Sequence, residues 1–306
     1  MFDVFLQLSV PLVCGVLYKF IPSALPAADV RKIISSIVLN VFIPLLTFGV
    51  LSQVHIGEHL WTIPIVSISS VLVGLLLGYI VYGVLLRNKM SPAAIGSLIL
   101  ASTWCNAMYL GLPITTAVLG DGARHIPIEY DYLGMTPLLF SIGTIICVRY
   151  GTGNSSTSWS EGLRQVATLP PMITILVALV INVVNVPIAP WLSAACLKAG
   201  SVVPQLMLFS IGLSLSLPAL RAIPQILPAV AIRTIAVPTI MWASTLWLIQ
   251  DPTTERGAIL ETAMPTMMLT MVFAEKYGLD TGILAQAILG STIVSIFTLS
   301  MIASML

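Results

Sequence analysis

The side chains in this sequence that could do chemistry are few, and they fall into three groups. His55, Glu58 and His59 reproduce the H-x-x-E-H spacing by which some zinc peptidases put two metal-binding histidines and a general-base glutamate on one helix face. Here Gly57 interrupts the motif, the connector is eight residues long, and the remaining histidine is His125. A solvated turn is therefore expected, with no metal and no catalysis. The second group is a pair of isolated charges, Arg233 and Glu261, set inside long apolar stretches where an unpaired charge is costly. The third group lies in two interrupted apolar segments. ASTWCNAMYLGLPITTAVLG (101–120) carries Thr103, Asn106, Tyr109, Gly111 and Pro113, and ETAMPTMMLTMVFAEKYG (261–278) carries Thr262, Pro265, Thr266 and Thr270. A proline or loose glycine in an apolar helix frees backbone groups that only protein or a wet cavity can satisfy. Free N–H groups at a half-helix start, helped by amides and hydroxyls, can bind a carboxylate without a basic side chain. Asn40, Gln205 and Ser210, on neighbouring segments, could add to such a site. For Asn106 two roles stand open, a substrate ligand or an amide bridging two helices.

The elements that must position these groups follow from composition. Of 306 residues, 58% are hydrophobic and 8% charged, against about 25% charged in soluble domains. The chain is an integral membrane protein. A net charge of +1 gives no case for a nucleic-acid partner, and no basic cluster suggests one. The four cysteines are scattered and behave as small hydrophobes. No phosphate loop or cofactor box is present, so no cofactor is expected. The N-terminus lacks a basic leader region and a small-residue cleavage site, which points to a retained first span.

Ten apolar windows are long enough to cross a bilayer, near 3–21, 33–53, 61–86, 92–119, 132–149, 166–186, 197–217, 225–249, 255–276 and 281–305. They divide into a first five-span repeat (1–150), a linker (151–165) and a second five-span repeat (166–306). A shift of 160 places Pro11 on Pro171, Pro44 on Pro204, Pro64 on Pro224 and Pro92 on Pro252. An odd number of spans per half inverts the second half in the membrane. Pro113 and Pro265 do not share this offset, so the breaks in spans 4 and 9 are expected at unequal depths. Nine basic residues, Lys19, Arg31, Lys32, Arg87, Lys89, Arg149, Arg164, Arg221 and Lys276, flank the connectors after odd-numbered spans; Arg124, Lys198 and Arg256 lie on the other side. The first side is therefore cytoplasmic, and both termini face outward.

The runs LNVFIPLLTFGVL (39–51), CNAMYLGLPI (105–114) and AMPTMMLTMVFAEKYGLD (263–280), the last followed by AQAILGSTIVSIFTL, are similar to the auxin efflux carrier family, which includes bacterial permeases for small organic acids. Asn106, Gly111 and Pro113 match the family pattern. Cys105, Ala107 and Met108 stand where the family usually has Gly, Thr and Gly. The resemblance implies two inverted five-span repeats with broken spans 4 and 9 crossing at mid-membrane, a scaffold and a mobile transport domain, and a homodimer formed through the scaffold.

The fold class expected is thus all-α and polytopic: ten transmembrane helices in two inverted five-helix repeats, with broken crossing helices 4 and 9, in the cell (inner) membrane. The function expected is secondary transport of small organic anions, not catalysis. The substrate is expected at the crossing, among Asn106, Thr103, Tyr109, Gly111, Pro113, Pro265, Thr266, Thr262, Asn40 and Gln205. Glu261 and Arg233 are expected either as a structural ion pair or as a proton-coupling carboxylate and its partner. The alternative is an intramembrane enzyme, a metal-dependent peptidase or a lipid-modifying one, which would need catalytic groups converging at one depth.

Overall fold

The computed structural model describes residues 2–22, 25–52, 61–152, 168–184, 186–215 and 223–306. Among them the regular structure is helical, and the β-type pairing is a single isolated bridge. The helical runs are α1 (Phe2–Tyr18), α2 (Ala27–Leu51), α3 (Thr62–Leu85), α4 (Pro92–Thr103), α5 (Ala107–Leu119), α6 (Gly122–Tyr150), α7 (Pro170–Val183), α8 (Pro190–Ser214), α9 (Ile223–Thr245), α10 (Pro252–Thr262), α11 (Thr270–Tyr277) and α12 (Thr281–Met305). Six of these, α2, α3, α6, α8, α9 and α12, are long and apolar enough to cross a membrane.

Local sequence explains where the helices begin. Ser91 accepts a hydrogen bond from the Ala94 N–H ahead of Pro92 in α4, and Asp251 accepts one from the Thr254 N–H ahead of Pro252 in α10. Each is a polar cap followed by a proline whose missing N–H costs nothing in the first turn. Asp280 caps α12 in the same way, through the Ile283 N–H. Inside helices, prolines leave a different mark. Of the six widened π turns among the described residues, four, at Val38–Phe42, Ala107–Gly111, Tyr130–Met135 and Ile232–Ala236, end two residues before a proline, namely Pro44, Pro113, Pro137 and Pro238, while those at Tyr79–Leu85 and Leu139–Gly143 do not. The proline ring clashes with the carbonyl four residues back and offers no N–H, and one extra residue in the turn relieves both problems.

The helices pack in two groups. In the first, α1 lies along α8, while α2 packs on α7 and α8. Gly15 and Gly212 let α1 and α8 touch: a methyl group on either would strike backbone of the other, at Phe209 and Leu12 respectively. Close approach through small residues is how helices gain contact where lipid removes the hydrophobic drive. The second group contains α3 to α6 and α9 to α12. The groups meet where α2 packs on α11, and there Arg31 Nε pairs with Glu275 Oε2 at 3.1 Å. Large apolar side chains such as Leu76, Leu85, Phe297 and Met301 remain exposed on the outside, as a lipid-facing surface requires.

Candidate substrate site at the helix crossing

Two helices are interrupted, and the interruptions meet. After Thr103 the chain leaves the helix at Trp104 (φ −95, ψ 127) and re-enters after Asn106 (φ −92, ψ 64). After Thr262 it runs irregularly through Pro265 until α11 starts at Thr270. The two segments lie antiparallel, with Cys105 bridged to Thr266. The Asn106 N–H donates to the Pro265 carbonyl at 2.7 Å, and the Met267 N–H donates to the Trp104 carbonyl at 2.9 Å. Each break therefore satisfies backbone groups that the other has freed, as a dry interior demands. Thr266 fastens the crossing to its surroundings, its hydroxyl donating to the Ala101 carbonyl at 2.8 Å and its N–H to Ser291 Oγ at 3.1 Å.

This geometry corrects the expected position of the first break. Pro113 does not make it; the π turn before that proline absorbs the defect, and the chain opens instead at 104–106. The bridged residues Cys105 and Thr266 stand 161 positions apart, within one of the proline offset. The two breaks match in position, contrary to what Pro113 and Pro265 imply.

The carbonyl ends of the broken helices converge on Arg233. This residue is wholly buried and reaches the crossing from the π turn of α9. Its Nη1 donates to the Thr103 carbonyl at 2.8 Å and its Nη2 to the Thr262 carbonyl. These are the last residues of α4 and α10. The expected ion pair is absent from this arrangement, because Arg233 and Glu261 each bond elsewhere. Glu261 is wholly buried and accepts a hydrogen bond from Thr115 Oγ1 at 2.7 Å, while its second oxygen has no protein partner. Its carboxyl lies against Gly111, where a methyl group would stand 2.6 Å from Oε1 and closer still to Oε2. A side chain at Gly111 would thus force that carboxyl to move, so the glycine accommodates the carboxyl's close approach.

The amide side is different. Asn106 stands at the start of the helical run that becomes α5. Its carbonyl accepts from the Leu110 and Gly111 N–H groups, at 3.3 and 3.0 Å. Its side chain is 1% exposed, yet neither Nδ2 nor Oδ1 has a protein hydrogen-bond partner. Tyr109 follows on α5, half-buried. Thr103 and Thr262 turn back on their own helices, donating to the Ile99 and Ile259 carbonyls, and Thr270 donates to the Met267 carbonyl in the irregular stretch before α11.

The structure does not bring every candidate here. Asn40 is exposed and donates to the Ser36 carbonyl at 2.8 Å. It lines a separate cavity of about 290 Å³ between α2 and α11 with Lys32, Glu275 and Lys276. Gln205 is exposed, and with its amide turned to satisfy its surroundings the nitrogen donates to the Ser201 and Val202 carbonyls, in the turn midway along α8. Ser210 is buried within α8. The histidine motif at 55–59 and nearly all of the linker lie outside the described residues. Asp131 escaped the sequence reading. It is 3% exposed and accepts from Thr136 Oγ1 at 3.0 Å.

Comparison with known proteins finds a family and relatives along most of the chain. The membrane transport protein family matches residues 18–168 and 157–303. An uncharacterized transporter from Methanothermobacter thermautotrophicus is 26% identical over 276 residues, which cover 87% of this chain and 86% of that protein. An uncharacterized transporter from Methanocaldococcus jannaschii is 26% identical over 283 residues, 88% of either chain. With its two broken helices meeting in a buried polar crossing, this multi-pass chain belongs to the membrane transport protein family, the auxin efflux carrier-like group.

Proposed function

We propose that the chain is a secondary carrier of small organic anions, mono- or dicarboxylates, working by alternating access in the cell (inner) membrane. The observation that carries this reading is the Asn106 side chain, a buried amide with both polar atoms unpartnered by protein. Leaving such a group unmet costs about 1–3 kcal/mol, so a ligand that meets it recovers that energy. It stands at the positive end of α5, where a carboxylate is favoured. Ten spans in two inverted repeats are the topology that fits the bridged breaks, with both termini outside and the 151–165 linker cytoplasmic. The group of α1, α2, α7 and α8 would serve as a scaffold and dimer face, and the remaining helices as the moving part. Glu261, with one carboxyl oxygen unpartnered, is the group to carry a coupled proton.

Uptake into liposomes of labelled monocarboxylates and dicarboxylates is the test. Transport of one class should appear with the wild type. Asn106→Ala should weaken substrate binding by about 1–3 kcal/mol while leaving the substrate-free melting temperature nearly unchanged. A fall in stability with affinity preserved would instead make Asn106 a helix bridge. Glu261→Gln should abolish gradient-driven accumulation and preserve exchange of labelled for unlabelled substrate. Accumulation that persists in well-folded Glu261→Gln rules out the coupling role.

A further inference from the structure

Arg233 is a fully buried cation whose two terminal nitrogens meet carbonyls instead of a carboxylate. The two acceptors, the carbonyls of Thr103 and Thr262, are the C-terminal ends of helices of 12 and 11 residues. A helix C-terminus carries roughly half a negative elementary charge. Two converging ends therefore present about one, which a single guanidinium balances. In carriers with broken helices, such carbonyl ends are where a coupling sodium ion is coordinated. Here the same kind of oxygen pair is already taken, by the tip of a side chain from a third helix. The π turn at Ile232–Ala236, which ends two residues before Pro238, is the backbone device that aims it.

We propose that Arg233 is a tethered counter-cation occupying a latent monovalent-cation site, and that the wild-type crossing takes no sodium for this reason. The ligands are neutral backbone oxygens, which suit a hard monovalent ion and give no purchase to softer metals. The inference rests on the carrier reading only for its consequence, a transport cycle without sodium. The site itself is a matter of cation binding.

The test uses purified, substrate-free protein, so that failure of transport and failure of this site remain distinguishable. Melting temperatures are measured for wild type, Arg233→Ala and Arg233→Lys in sodium, potassium, lithium and choline chloride at matched ionic strength. Wild type and Arg233→Lys should be indifferent to the cation. Arg233→Ala should melt roughly 5 °C higher in saturating sodium than in choline. An Arg233→Ala protein as indifferent as wild type overturns the proposal, and so does selective stabilisation of wild type by sodium. If Arg233→Ala is not recovered folded in any salt, Arg233→Gln decides by the same comparison, since it keeps one planar donor and frees the other carbonyl. If neither variant folds even in sodium, the proposal is likewise overturned, because the ion should then replace the lost charge.

Discussion

The two electrical faces of the crossing are built on opposite plans. On the carbonyl face, the ends of α4 and α10 are both engaged by one buried guanidinium. On the amide face, the Asn106 side chain is equally buried but engaged by nothing in the protein. The contrast teaches which half of the site is permanent. The two terminal nitrogens of Arg233 are met by the fold although its Nε is not, whereas the whole Asn106 amide is left unmet at a cost in stability.

The sharpest way to break this comparison is to strip the permanent half. Arg233→Leu in a sodium-free buffer should destabilise the protein by about 3–5 kcal/mol, as removal of one partner from a buried charged contact does. Asn106→Ala should move the same substrate-free melting curve very little. Equal losses in the two variants would show that both faces are structural. Next in size is Gly111→Ala, which sets a methyl group against the Glu261 carboxyl. It should cost about 1–3 kcal/mol, and combining it with Glu261→Ala should cost less than the sum of the single losses, because the clash is then gone. Additive losses would mean that the carboxyl is not what Gly111 accommodates. Thr115→Val removes the hydroxyl that donates to Glu261 and should cost about 1 kcal/mol, detectable as a small fall in denaturation midpoint. The smallest effect belongs to Arg31→Ala. Its pair with Glu275 joins the two helix groups at a partly exposed site, and its loss should cost under about 1 kcal/mol. A larger fall would make that pair a principal tie between the groups.

Much of this was legible in the sequence, for physical reasons that also mark the limits. Low charge fixed the class, and Pro265 sits inside the second break because nothing nearby relieves it. Pro113 misled because a π turn is an alternative to opening the helix, and residue types do not say which remedy a chain takes. Arg233 and Glu261 were visible as isolated charges, but their partners were backbone carbonyls and a threonine hydroxyl, which carry no charge pattern to read. Asp131 was missed because the acids and basic residue around it depress an apolar window. The expected span therefore began at 132, whereas α6 begins at Gly122. Asn40 and Gln205 were named for chemistry alone, and each turned to its own helix instead.

The proline-linked π turns have a consequence for how this chain tolerates change in length. Such a turn is an α-helix holding one residue too many, and each added residue rotates everything beyond it by about 100°. The widened turn of α9 absorbs that rotation locally, so deleting Ile235 together with Pro238→Ala would return an ordinary helix whose outer half still faces its old neighbours. The same one-residue deletion in the middle of α12, which is a regular α-helix throughout its 25 residues, would swing half its side chains toward the wrong partners. The spare residues are stored slack, placed where the sequence can be shortened without losing phase.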